Sequence, residues 1–176
     1  MVGSSPAVSV LFVCLGNHCR SPAALGVANT VLAGDTYATF DAAGTGRAHV
    51  GHAPHPLAVA EGARRGHLVD HLGRQIHPDD FARFDLIVAM DAMNVDDLER
   101  MRGGVEQREG YYAAVEPLQV QLLRRWDPYA MPGDEDLPDP WGQEPEAYRR
   151  MYDVIERTMP PLLEHLAWLH ADHPAT

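Results

Sequence analysis

Cys14 and Arg20 are separated by five residues, Leu15-Gly16-Asn17-His18-Cys19, and followed directly by Ser21-Pro22. A thiolate is a strong nucleophile, and a guanidinium is a planar fork that matches two oxygens of a tetrahedral anion. The intervening residues can turn successive backbone N–H groups inward as an anion nest, and Gly16 and Asn17 are types that tolerate the left-handed backbone such a turn needs. A ring of this kind fits a tetrahedral dianion. Its field also favours the thiolate at Cys14 over the thiol, giving an anionic nucleophile at neutral pH. Cys14 and Cys19 are the only two cysteines, too few for a secreted disulfide framework or a cysteine-built zinc site.

This loop needs elements that hold it. The run VSVLFVCL (8–15) is continuously apolar and valine-rich, as in a parallel strand covered on both faces. SPAALGVANTVLAG (21–34) has apolar residues at helical spacing, with Ser21 of N-cap type and Pro22 in the first turn. The loop from Cys14 to Ser21 therefore lies at the carboxyl end of a strand and the start of a helix, where open α/β sheets bind ligands and the helix terminus adds partial positive charge. Further strands are expected in TYATFDAAG (36–44), FDLIVAMD (84–91) and VQLLRRW (120–126). Helices are expected in PLAVAEGARRG (56–66), in AMNVDDLERMR (92–102) with Asp91 as its cap, and over 146–170. The last helix presents Met151, Ile155, Leu162, Leu166 and Leu169 on one face, and Pro160-Pro161 must start a new turn or kink it. The alternation predicts an α/β fold, one domain over 1–176, with a small parallel sheet of four strands and helices on both faces. Residues 1–6 and 171–176 are expected to fray.

At 176 residues and 45% hydrophobic the chain suffices for one buried core. Its formal charge of -11 disfavours nucleic acid and anionic membranes as partners, since both require a basic face, so an anionic substrate must be captured locally. No apolar run reaches the roughly 20 residues that span a bilayer, and MVGSSPAVSVLFV lacks a basic start and a cleavage site, so a cytoplasmic location is expected.

The stretch VLFVCLGNHCRSP resembles the phosphate-binding loop, C-L-G-N-x-C-R-S-P, of the low-molecular-weight protein tyrosine phosphatases. DAAGT (41–45) resembles that family's D-S-A-G-T, residues 69–94 its S-H-x-A-R…D-F…F-D…M-D-x-x-N pattern, and PDPWG (138–142) its D-P-Y/W acid loop. The resemblance implies a four-stranded parallel sheet and an activity with neither metal nor organic cofactor. It implies that Cys14 attacks phosphorus in line, that Arg20 and the amides of Leu15, Gly16, Asn17, His18 and Cys19 hold the phosphoryl oxygens, and that a cysteinyl-phosphate forms. Ser21 would hydrogen-bond the thiolate, Asn17 and His71 would brace the loop, and Cys19 would pair with Cys14 on oxidation. The implied substrate is a phosphotyrosine protein or small aryl phosphate, with inorganic phosphate as product.

A general acid must protonate the leaving oxygen. Asp127 in RRWDPYA and Asp139 in LPDPWGQ both precede proline. The family places its acid shortly before the final helix, which favours Asp139 and sets Trp141 beside the cleft, either as an aromatic wall or as loop packing. Departures from the family pattern are Ala42 in place of serine, His18 in place of an aliphatic, Ala48 where an aromatic is usual, Leu25 in place of glutamate, and a longer segment over 103–119. His49, His52 and His55 recur every third residue, but Pro54 and Pro56 spoil a helical face and no carboxylate or cysteine completes a metal set nearby, so they read as a solvated loop. Alone, His71 reads as a structural histidine; Asp91 reads first as a helix cap and second as indirect support for the site. Two other functions fit the fold: a non-catalytic phosphate- or phosphoprotein-binding module, and a thiol-dependent arsenate reductase, which needs a resolving cysteine outside the loop that this chain lacks.

Overall fold

Residues Val10 to Val13 are wholly buried, because the strand they form is paired on both edges and covered on both faces. The structure is a computed structural model that describes residues 7–109 and 119–172. Four parallel strands, β1 (Val8–Cys14), β2 (Ala38–Gly44), β3 (Leu86–Ala89) and β4 (Val120–Leu122), lie in the order β2-β1-β3-β4. The chain steps to one side of β1 to make β2 and to the other to make β3. The carboxyl end of β1 is therefore the topological switch point, the place where such sheets open a crevice.

Alternation along β1 divides the core into two layers. Val10 and Phe12 point into the larger layer, with α1 (Arg20–Val31), α2 (Pro56–Arg64) and α5 (Pro145–Asp172), where Tyr148, Tyr152, Ile155, Met159 and Leu162 are buried. Leu11 and Val13 point to the other face, against Phe81 of the short α3 (Asp80–Arg83) and Leu98 of α4 (Ala92–Glu109). Leu25 is buried in the larger layer, which accounts for an apolar residue where the family pattern has glutamate.

Several expectations change. Helix α1 begins at Arg20 with Cys19 at the cap position and no side-chain cap, so Ser21 is not the N-cap. Pro22 then falls in the first turn, where a missing N–H leaves no intrahelical bond unmade. The fourth strand stops at Leu122 because Leu123–Trp126 tightens into a 3-10 turn. Helix α4 extends beyond residue 102 to Glu109, so part of the 103–119 segment is helical; 110–118 lies outside the described residues. Helix α5 runs from Pro145 to Asp172 unbroken by Pro160 and Pro161, which form part of it. The absent N–H groups of the two prolines deprive the carbonyls four residues earlier of their partners, and the packed residues Ile155, Met159, Leu162 and Leu166 hold the helix across the gap. Residues 171 and 172 are helical, and the rest of the expected fraying, over 1–6 and 173–176, lies outside the described residues.

Candidate active site

The loop after β1 folds back over the Cys14 sulfur. Asn17 takes a left-handed backbone conformation (φ 50°), which turns its N–H to donate to Cys14 Sγ at 3.2 Å. Ser21 Oγ lies 3.1 Å from the same sulfur. The Asn17 side-chain amide donates to Ser21 Oγ at 2.9 Å, so it occupies an acceptor lone pair and leaves the hydroxyl proton free to point at sulfur. Asn17 Oδ1 is held in turn by the Arg74 backbone N–H at 2.8 Å and His71 Nε2 at 2.9 Å. Gly44, at the end of β2, must be glycine here, because a Cβ would stand 2.8 Å from the Leu15 carbonyl oxygen.

Arg20 is 2% exposed, with Nη1 donating to Asp91 Oδ2 at 2.5 Å and to the Leu137 carbonyl at 3.0 Å, and Nη2 to Asp139 Oδ2 at 3.1 Å. Burial opposes its charge, but the Cys14 sulfur, Asp139 and Asp91 outweigh that and raise its pKa. Asp91 does both things read from the sequence: Oδ1 accepts the Asn94 N–H at 2.8 Å and caps α4, while Oδ2 holds the guanidinium.

A cavity of about 320 Å³ opens over the loop. Cys14, Leu15, Gly16, His18, Cys19 and Arg20 contribute to its lining from the loop, and Ala48, His49, Asp139 and Trp141 from elsewhere. Asn17 and Ser21 do not line it; at 2% and 0% exposure they brace the sulfur from behind. His71 is likewise a brace, shared between Asn17 and the Ala42 backbone, and its pKa is lowered chiefly by burial, with Arg74 adding to the effect and Asp41 opposing it.

The two Asp-Pro pairs separate cleanly. The Asp127 side chain is fully buried, accepts from Arg157 Nε and Nη2 at 2.8 and 2.9 Å and from Arg124 Nε at 2.9 Å. Burial pushes its carboxyl up, but Arg157, the Tyr129 amide and Arg124 together drive it well below the usual carboxylate range. It is a structural anion. Asp139 instead borders the cavity with its side chain 41% exposed, Oδ1 accepting the Trp141 N–H at 3.1 Å.

Four contributions escaped the sequence reading. His49 is no solvated loop residue: it lines the cavity and stacks on His18 at 3.9 Å with parallel rings. His55 caps α2 through Nδ1 and stacks on Tyr148 at 5.2 Å. Tyr148 Oη lies 3.7 Å from Cys19 Sγ, and the Cys19 thiol is pushed up to about 12, first by burial and then by Asp139 and Cys14, with the Tyr148 hydroxyl and Arg20 opposing. Finally, Arg74 forks Asp41 and reaches Asp80 at 2.9 Å, fixing the backbone N–H that holds Asn17. Its stretch, LGRQ, was legible as family pattern; nothing in the sequence marks Tyr148 apart from other helix-face aromatics.

Fold and site together define an α/β protein with a cysteine-arginine loop at the switch point of a small parallel sheet. Residues 9–171 match the low molecular weight phosphotyrosine protein phosphatase family, and the chain belongs to that family. A low molecular weight protein-tyrosine-phosphatase of Streptomyces coelicolor is 36% identical over 157 residues, which cover 88% of this chain and 90% of that one. The crystal structure of YfkJ from Bacillus subtilis superposes with a TM-score of 0.79 at 30% identity, covering 94% of this chain and 98% of the other. An arginine phosphatase of Drosophila gives 0.76 at 30% identity, covering 89% and 96%. Among the described residues no helix is long and apolar enough to cross a membrane.

Proposed function

We propose that this protein hydrolyses phosphotyrosine esters through a cysteinyl-phosphate. The observation that carries the proposal is the Cys14 sulfur, 3.2 Å from the Asn17 backbone nitrogen and 3.1 Å from Ser21 Oγ, on a cavity that Arg20 and Asp139 also line. The Cys14 thiolate attacks phosphorus, the P–O bond to the aryl group breaks, and Asp139 gives its proton to the departing oxygen. Asp139, now a carboxylate, takes a proton from water; the hydroxide attacks phosphorus, the S–P bond breaks, and phosphate leaves with the thiolate restored. Loop amides and the Arg20 fork stabilise the equatorial oxygens as charge develops. Leu15 and Trp141, with 49% and 62% exposure, give the cavity apolar flanks suited to a flat aryl group. A reducing, cytoplasmic setting is in keeping with two free cysteines.

The test is turnover of phosphotyrosine and of nitrophenyl phosphate by the intact chain and by Cys14→Ser. The variant is expected to lose turnover but still bind vanadate, because the loop amides and Arg20 persist. Activity above a few per cent of the parent removes Cys14 as nucleophile. Faster turnover of phosphoarginine than of phosphotyrosine assigns the site to the other substrate seen among its structural neighbours. Vanadate binding without turnover by the parent identifies a binding module, and arsenate-dependent thiol oxidation a reductase.

A further inference from the structure

Asp80 opens the short helix α3 with its side chain buried, and the proposed chemistry makes no use of it. A carboxylate taken out of water needs partners. Arg74 Nη1 donates to Asp80 Oδ2 at 2.9 Å and the His77 N–H to the same oxygen at 2.8 Å, while Arg83 Nη1 stands 3.7 Å from Oδ1. The Arg74 guanidinium spans from there to the sheet, with Nε and Nη2 donating to Asp41 Oδ2 of β2 at 3.1 and 2.9 Å. Burial opposes the charge on Arg74, and the two carboxylates outweigh burial and raise its pKa.

Burying such a network gains little stability, because desolvation offsets the attraction. What it can fix is geometry. Residues 71–74 form neither helix nor strand, and Gln75 makes a single bridge to Gly44. The Arg74 N–H donates to Asn17 Oδ1 at 2.8 Å, and the Arg74 carbonyl accepts the Gly44 N–H at 2.9 Å. Asn17 passes the restraint on: Nδ2 donates to Ser21 Oγ at 2.9 Å, and its own N–H, turned by the left-handed backbone, donates to Cys14 Sγ at 3.2 Å. A continuous set of contacts therefore runs from a buried carboxylate in α3 to the sulfur at the end of β1.

We propose that the Asp41–Arg74–Asp80 clamp is a positioning device for the Cys14 loop: Arg74, anchored by Asp80, fixes the side chain of Asn17 and through it the sulfur. The inference rests on the phosphatase reading and adds to it residues that do not line the cavity. Lysine is no substitute for Arg74, because one ammonium lacks the planar fork that meets Asp41 on one edge and Asp80 on another.

The experiment is a double-mutant cycle on nitrophenyl phosphate turnover, with Arg74→Lys and Asn17→Gly made alone and together. Glycine takes the left-handed backbone of residue 17 without strain and deletes the side-chain amide. In the parent, Arg74→Lys is expected to lower kcat/KM about tenfold or more, since misplacing a reacting group by a fraction of an ångström is costly. In Asn17→Gly the same substitution is expected to cost about twofold or less, because the contact through which Arg74 acts is gone. Arg83 shares Asp80 from an exposed position, and Arg83→Lys is expected to match the parent. No loss in Arg74→Lys, an equal loss in both backgrounds, or a comparable loss in Arg83→Lys overturns the proposal. An equal loss in both would assign the effect to the Gly44 contact or to a general loosening of the fold. If thermal melting shows that Arg74→Lys does not fold, Asp41→Asn, at the more exposed of the two carboxylates, carries the same cycle. The cycle is also read as the Kd of vanadate. The clamp is thus decided even if the parent does not turn over nitrophenyl phosphate, a result that would instead remove the phosphatase reading.

Discussion

Asp139 Oδ2 and Arg20 Nη2 meet at 3.1 Å at the edge of the cavity, with the carboxylate side chain 41% exposed and the guanidinium side chain 3%. The exposed partner of the pair is the proposed acid, and the buried partner is the cation. Asp139→Asn is expected to slow phosphotyrosine hydrolysis by about 10² or more, because a phenol with a pKa near ~10 leaves poorly without a proton. The cysteine-phosphorylation step with nitrophenyl phosphate, read by burst kinetics, should lose less.

Asp127→Asn is expected to act on stability. Removing one charge from a buried ion pair costs about 3 kcal/mol, since Arg124 and Arg157 are left facing a neutral amide. Denaturant unfolding measures the loss, while the leaving-group dependence of the rate stays that of the parent. If Asp127→Asn instead shows the leaving-group-dependent loss, the acid is on the other loop and Trp141 loses its place beside the substrate.

Arg20→Lys keeps the charge and loses the fork. With Nη1 tied to Asp91 and the Leu137 carbonyl, only a planar guanidinium can be anchored at one edge and present donors at another. A loss of about 10² or more in kcat/KM is expected, the scale of one oxyanion donor; kinetics near those of the parent would show that the guanidinium does not clamp the phosphoryl group.

Peroxide is expected to oxidise the Cys14 thiolate to sulfenic acid, itself reduced to water, and Cys19 then to displace water and close a disulfide that a dithiol reopens. With the Cys19 thiol pushed up to about 12, its thiolate is about 1 part in 10⁵ at pH 7, so closure is slow and accelerates with rising pH. Tyr148→Phe removes the hydroxyl that opposes the upward shift and slows closure further. Mass spectrometry is the measurement: sulfinic acid at Cys14 with no Cys14–Cys19 linkage, at any pH from 7 to 9, refutes this.

His18, His71 and His165 are each held below the ordinary histidine value, first by burial. A histidine whose pKa is lowered on folding contributes stability that is fully present above its unfolded value, about 6.5, and is lost as pH falls through the lowered one. The Tm is therefore expected to fall as pH drops from 7 to 5, and a Tm that holds or rises over that range counts against neutral, buried histidines.

The strands and the loop were legible because both depend on local chemistry: a valine-rich run gives a buried parallel strand, and cysteine, glycine, asparagine and arginine at fixed spacing give an anion turn. Cys14 and Arg20 needed no more than that, and Asp91 only its place ahead of a helix. What stayed hidden was set by contacts distant in sequence. Ser21 reads as an N-cap until Asn17 and Cys14 claim its hydroxyl. His49 and His55 read as solvent-facing until His18 and Tyr148 supply faces to stack on, while His52 is exposed as expected. Pro160-Pro161 reads as a break because the local cost is visible and the compensating burial of α5 is not.

Asp91 binds the Asn94 amide with one oxygen and Arg20 with the other, so the fraying of α4 loosens one of the groups that hold the guanidinium while the Leu137 carbonyl and Asp139 keep the rest. Local opening at a helix end is the commonest low-energy fluctuation of a folded chain. Here it slackens the hold on the proposed phosphoryl clamp, and hydrogen exchange at Asn94 becomes a clock for how often that hold is loosened. A bound oxyanion that steadies Arg20 against Asp91 slows that clock, tying the breathing of a peripheral helix to occupancy of the cavity.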